Sequence, residues 1–161
     1  VPIDNSKAEP KESLKVIVVG AGPTGVEVSG AVAELQKSMR HEFPNIYKSA
    51  SVTLVEAGPR VLPMFKEKSS QHAQAELGEI GVKVKVNSEV DRMYESALHL
   101  KNGEVLTAGT IIWAAGVAAY SSWTSMGQAD RSNRLIVDKY LQSSPNIFIA
   151  FLSTFKFNLL V

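Results

Sequence analysis

The chain begins with a polar stretch, residues 1–13, that holds two prolines and several charges. This pattern predicts a linker, not a packed element. Residues 14–19 then turn apolar on consecutive positions (Val16-Ile17-Val18-Val19), as expected of a central parallel strand buried on both faces. From Pro23 or Thr24 to near Arg40 the period lengthens to that of a helix. Val26, Val28, Ala31, Val32 and Leu35 form its apolar face, and Gly25, Ser29, Gly30 and Ala33 keep it slim. Residues 41–50, with Pro44 and Asn45, read as an irregular excursion. A second strand is expected over residues 51–55, ending at Glu56, and Ala57-Gly58-Pro59 breaks the chain after it.

A second helix is expected from Ser69 to about Ile80, with Ala73, Leu77 and Ile80 inward and Gly81 as its stop. Val82, Val84 and Val86 alternate with lysines, which predicts a strand with one wet face. Three short strands follow, over residues 89–94, 97–100 and 104–107. Asn102-Gly103 predicts a type I′ hairpin between the last two. Residues 110–113 are apolar again and belong in the main sheet, ending at the small-residue turn Ala114-Ala115-Gly116. Residues 118–133 read as a loop or short helix, and residues 135–137 and 146–150 as the last strands. The expected architecture is α/β: a Rossmann-like parallel sheet with a three-stranded antiparallel β-meander crossover. Any ligand should lie across the C-terminal ends of the strands at 14–19, 51–55 and 110–113, where strand order reverses.

Composition narrows the function classes. The 161 residues suffice for one domain with a core, 45% are hydrophobic, and the formal net charge is +1. The near-balance and the scattered lysines give no nucleic-acid face. Without cysteine, disulfides, thiolate metal sites and a Cys-x-x-Cys redox pair are excluded from this segment. No stretch reaches the roughly 18–20 apolar residues of a membrane span, and the start lacks a signal-sequence pattern.

The chemistry concentrates in Gly20-Ala21-Gly22-Pro23-Thr24-Gly25, which follows a strand and opens a helix. In such a turn the first glycine permits the bend. The second lets phosphate approach the backbone, and the third lets helix and strand pack closely, with free helix N–H groups facing the anion. The alternatives are a turn that binds nothing or one that binds S-adenosylmethionine. Glu56, at the end of the second strand, is suited to accept both adenosine ribose hydroxyls and to repel a 2′-phosphate. It lies 31 residues beyond Gly25, against a usual spacing of about 20, and the 41–50 excursion accounts for the excess. Arg60 is the competing feature, since an arginine there can hold a 2′-phosphate. Glu27, read as lying in the first turn of the helix, suits the helix dipole or a hydrogen bond to a nicotinamide carboxamide. Gly116 is a plain turn or a second close approach of backbone to ligand, and the position favours the second. Trp113 reads as core or pocket wall and Trp123 as local packing. His41, His72 and His99 have no ligand spacing and read as surface side chains. No nucleophile–base pair and no metal site is expected.

Three segments carry a family likeness: Gly-Pro-Thr-Gly-Val-Glu at 22–27, Val-Thr-Leu-Val-Glu-Ala-Gly-Pro-Arg-Val-Leu-Pro at 52–63, and Ile-Trp-Ala-Ala-Gly-Val at 112–117. They resemble type II NADH dehydrogenases, single-subunit NADH:quinone oxidoreductases within the flavoprotein group that has two dinucleotide-binding domains. The resemblance spans residues 14–150. It implies that Gly20, Gly22, Pro23, Thr24 and Gly25 hold the NADH pyrophosphate and that Glu27 lies near the nicotinamide. It further implies that Glu56 binds the adenosine ribose and that Ala115 and Gly116 line the nicotinamide side. In such enzymes hydride passes from NADH to FAD, and the reduced flavin reduces quinone at a membrane surface. The full-length parent is thus expected to be a peripheral protein of a respiratory membrane, on its NADH-accessible side.

The chain departs from that pattern. It has one glycine fingerprint where the family has an earlier one for FAD. The Gly-Asp expected after residues 146–150 is replaced by Phe151-Leu152-Ser153-Thr154, and residues 155–161 match nothing in the family. The expectation is therefore a soluble NADH-binding domain over residues 14–150, a piece of a larger flavoprotein, with an atypical tail over residues 151–161. It lacks the FAD site and the FAD-binding domain, and its apolar tail can promote self-association. Competing readings are a domain of a soluble FAD-dependent NAD(P)H reductase serving a protein acceptor, and a non-catalytic NADH-sensing module.

Overall fold

The computed structural model describes residues 14–47, 49–116, 127–130, 134–145 and 147–148. They fall in two compact units, within residues 1–116 and 117–161. The expected linker (1–13), the tail (151–161) and Trp123 lie outside the described residues.

The first unit is built on β1 (Lys15–Val19), β2 (Ser51–Val55), β3 (Val82–Lys85) and a strand at Thr110–Trp113, all parallel. Numbering that last strand β7, after a meander of β4 (Val90–Met93), β5 (Ala97–Leu100) and β6 (Val105–Thr107), the order across the sheet is β3-β2-β1-β7. The meander forms its own antiparallel sheet, β4-β5-β6. The expected α/β architecture with a meander crossover is the one observed.

Apolar residues on both faces of β1 make three layers possible. Val16 and Val18 pack with Val52, Leu54 and Val82 against α1 (Pro23–Ser38) and α3 (Glu67–Glu79). Ile17 and Val19 pack with Val55 on Leu98, Leu100 and Ala108 of the meander side. Val18, Leu54 and Val55 are fully buried, each contributing about 1.5–3 kcal/mol of transfer free energy. The sheet is therefore held from both faces, and its strand ends are a rigid platform.

Pro23 occupies the first turn of α1, where its missing N–H goes unneeded. The buried stripe of α1 is Gly25, Ser29 and Ala33. Val26, Val28 and Val32 flank it, whereas Ala31 is exposed and Leu35 is 60% exposed, contrary to expectation. Both lie roughly 120° or more round the helix from the centre of that stripe, and small residues, not large ones, face the sheet. The 41–50 excursion is not wholly irregular, since it contains a helical turn, α2 (Pro44–Tyr47), opened by its proline. Helix α3 begins two residues earlier than expected, and Gly81 (φ +98°) ends it.

The Asn102-Gly103 hairpin is real but is not type I′. Gly103 has φ +87° whereas Asn102 stays out of the left-handed region, and the Gly103 N–H donates to Leu100 O (3.0 Å). This is a three-residue loop with a left-handed glycine at its end. Asn102 Oδ1 accepts the Glu104 N–H instead of turning its own backbone.

In the second unit, β8 (Gln142–Ser144) and β9 (Ile147–Phe148) form an antiparallel pair. The expected strand at 135–137 is reduced to a single bridge, Ala129 to Leu135. Local side-chain bonds compete with a longer ladder there. Asp130 Oδ1 accepts the Arg134 N–H, and Asp138 Oδ1 accepts the N–H groups of Tyr140 and Gln142, turning the chain before β8. The strand expected over 146–150 is seen, among the described residues, as β9.

Two glycines of α1 should respond oppositely to alanine. A Cβ on Gly25 would lie 1.7 Å from Gly20 O, whereas one on Gly30 would meet Ile80 Cδ1 at an ordinary 3.6 Å. In urea unfolding, Gly25→Ala is expected to lose about 3 kcal/mol or more and Gly30→Ala to gain about 0.5–1 kcal/mol. Equal shifts would contradict the close helix approach at Gly25.

Candidate functional site

The turn after β1 is shaped by three glycines with three different constraints. Gly20 has φ +98°, its N–H donates to Val55 O (2.7 Å), and a Cβ there would sit 2.5 Å from Ala115 Cα. The close approach of the chain leaving β7, where the Ala114 N–H donates to Val19 O (2.7 Å), excludes any side chain. Gly25 is bare because α1 presses on Gly20 O. Gly22, the cap of α1, is different: a Cβ there meets nothing within 4 Å. No neighbour in the described structure demands its bareness, which leaves the space above it open. The first intrahelical bond of α1 is from the Val26 N–H to Gly22 O (3.0 Å), so the amides before it have no intrahelical acceptor.

Glu56 follows β2 and is half-buried. Its Oε2 accepts the Ala21 N–H and its Oε1 the Gly58 N–H, both at 2.7 Å. Its own N–H donates to Lys85 O, and its carbonyl accepts the Ser88 N–H, both at 2.8 Å. The carboxylate is thus stationed at the glycine turn from the end of the neighbouring strand.

These parts frame an open cleft of about 490 Å³ at the C-terminal ends of β1, β2 and β7, with the segment after β3 as a further wall. Strand order reverses there, since β2 and β3 lie on one side of β1 and β7 on the other. Of the residues the sequence singles out, Gly20, Gly22, Glu56, Ala115 and Gly116 line this cleft. Pro23 and Thr24 are exposed at the start of α1, and Gly25 is buried beneath the turn. Glu27 is exposed and is the fifth residue of α1; no acid lies in the first turn, contrary to expectation, because the helix already begins at Pro23. Trp113 is a wall, 52% exposed, with Nε1–H donating to Gly116 O (3.0 Å). Arg60 does not line the cleft; its guanidinium donates to Pro63 O (2.7 Å) within its own loop.

Sequence reasoning did not mark Ala57, Ser88, Glu89 or Val90, which also line the cleft. The signal was available for the last three, because they follow a parallel strand, and ligands of such sheets lie beyond strand C-terminal ends. Glu89 is paired with Lys101 (2.6 Å), both side chains about half exposed.

A parallel sheet of this order, with a glycine turn at its reversal point and helices on one face, defines a Rossmann-like domain. The chain belongs to the pyridine nucleotide-disulphide oxidoreductase family, whose model matches residues 3–150. It is 34% identical over 161 residues to the type II NADH:quinone oxidoreductase NdhA of Mycobacterium tuberculosis, covering 91% of this chain and 34% of that protein. It is 32% identical over 142 residues to a probable mitochondrial NADH-ubiquinone oxidoreductase of Schizosaccharomyces pombe, covering 80% and 26%. Among solved structures, NDH2 of Plasmodium falciparum in complex with NADH is similar with a TM-score of 0.65 and 30% identity, covering 70% of this chain and 24% of that one. The chain therefore spans about a quarter to a third of the length of these relatives.

The different constraints on the glycines separate stability from ligand access. Gly20→Ala is expected to lower the thermal midpoint by several degrees, at a strain of about 1–3 kcal/mol. Gly22→Ala should leave the midpoint within about a degree of the parent chain. Calorimetry checks both, and a large loss for Gly22→Ala would show an internal contact at that position.

Proposed function

We propose that this chain is the NADH-binding domain of an NADH:quinone oxidoreductase, serving hydride transfer from NADH to FAD in a longer parent. The observation that carries this reading is the meeting of open backbone at Gly22 with the Glu56 carboxylate, at the point where strand order reverses. The likeness to enzymes named for NADH and quinone, and to one solved with NADH, supports it.

In this reading the turn Gly20–Gly25 and the free amides opening α1 grip the pyrophosphate. Glu56 accepts the adenosine ribose hydroxyls. Ala115 and Gly116, at the end of β7, back the nicotinamide, with Trp113 as a wall and Glu27 near the ring. None of these residues is catalytic. They bind and orient, because the reacting rings carry the redox chemistry. Flavin bound in the parent would supply the acceptor for that hydride and the reductant for quinone. The sequence holds one glycine fingerprint, and the reading spends it on NADH, so the flavin is assigned to a further domain of the parent, at a respiratory membrane. No helix among the described residues is long and apolar enough to cross a membrane.

Selection of NADH over NADPH follows from charge. Glu56 and Glu89 both line the cleft, no Lys or Arg lines it among the described residues, Lys101 is paired with Glu89, and Arg60 donates to Pro63 O in its own loop. A 2′-phosphate beside Glu56 would add like charge in a half-buried setting.

Isothermal titration of the chain, with an absorbance spectrum of the same sample, tests the reading. NADH is expected to bind more tightly than NADPH, and no flavin band should be present. Gly22→Ala should weaken NADH by about tenfold or more, since its methyl occupies the phosphate approach. Glu56→Gln should narrow the NADH/NADPH ratio by roughly tenfold. NADH affinity indifferent to both changes would sink the assignment.

A further inference from the structure

We infer that Glu56 is also the positioning residue of the glycine turn, holding its backbone in the phosphate-receiving shape before any nucleotide arrives. The inference deepens the NADH reading of the cleft but rests on bonds within the chain itself.

Three bonds tie the turn to the last residue of β2 and to the segment that follows it. The Gly20 N–H donates to Val55 O, the Ala21 N–H to Glu56 Oε2, and the Leu62 N–H to Ala21 O, each at 2.7 Å. Of these, the Glu56 bond is made by a side chain and carries a charge, which makes it the strongest in kind. The other carboxylate oxygen takes the Gly58 N–H (2.7 Å), so the headgroup is held at two points. Gly58 is shaped to admit it, since a Cβ there would lie 3.2 Å from Oε1.

The far end of the brace is equally fixed. Val61 is fully buried, and its carbonyl accepts the Ser70 Oγ–H (2.6 Å) from a serine that is itself buried in α3. Leu62 sits at φ +48°, an uncommon conformation for a branched residue, and from there its N–H reaches Ala21 O. Ala21 is thus held on both its backbone polar groups, one in each of its two flanking peptide planes, by the 56–62 segment. An ionised carboxylate has about four acceptor positions. Two serve the amides of Ala21 and Gly58, and the remaining two are left for a vicinal diol in the cleft. One side chain therefore couples the ribose end of the site to the pyrophosphate end.

A ligand that lacks the diol separates this role from ribose recognition. ADP and 2′,3′-dideoxy-ADP are titrated against the chain and against Glu56→Gln. Positioning predicts that Glu56→Gln weakens both nucleotides, the dideoxy one by at least threefold. If only ADP weakens, the residue does no more than bind ribose and the inference falls. The second arm needs no ligand. Amide hydrogen exchange is followed at Ala21 and Gly58, where Glu56→Ala should speed both by about tenfold or more and Glu56→Gln at least one. Unchanged exchange at both amides overturns the inference. Should neither nucleotide bind the unsubstituted chain, the exchange arm alone decides the positioning role, and the NADH titration alone decides the NADH reading.

Discussion

The closeness of α1 to the turn after β1 governs the geometry of the cleft. The helix comes so near that Gly20 O fills the space a Cβ on Gly25 would need, and the strand end of β7 comes so near that Ala115 fills the space beside Gly20. The helix can come this close because Gly25, Ser29 and Ala33 present almost no side chain to the sheet. A thicker stripe would push the helix outward, and its first amides would no longer stand over the strand ends. Steric absence at two glycines thus creates the position of a third, Gly22, whose own bareness nothing within the described structure requires.

A turn this tight still has freedom in its peptide planes, and the chain removes it from the side of β2. Val55 O, the Glu56 carboxylate and the Leu62 amide bind successive groups of the turn. A single hydrogen bond contributes a modest net amount, roughly 0.5–1.5 kcal/mol, and more when one partner is charged. Their joint effect is on shape, because a site that receives an anion with its amides already aimed loses less entropy on binding. Among the described residues, no buried side-chain polar atom lacks a partner. The polar groups that turn toward the cleft therefore do so within a satisfied interior.

Much of the fold was legible before any coordinates. Consecutive apolar positions marked β1 as a central strand and placed residues 110–113 in the main sheet, and Glu56 stood out as an acid at a strand end. The misreadings share one cause. Leu35 and Ala31 belong to the apolar period of α1 yet face outward, because packing selected the small residues of the helix for the sheet. Asn102-Gly103 marked a hairpin, but the turn type followed from how β5 and β6 pair and where the glycine fell. Ser88 and Glu89 carry no motif; they line the cleft because β3 pairs alongside β2 and delivers them there.

The amino-acid order by itself determined the local chemistry: which stretches pack on both faces, where the chain can bend without a side chain, and which acid follows the second strand. These are properties of neighbours in the chain, and side-chain size and backbone freedom express them directly. Tertiary structure alone decided what those residues face. That Glu56 holds the Ala21 N–H and that Leu62 closes on the carbonyl of the same residue depend on contacts across the fold. Such contacts arise only when strands distant in sequence lie side by side, and no local pattern encodes them.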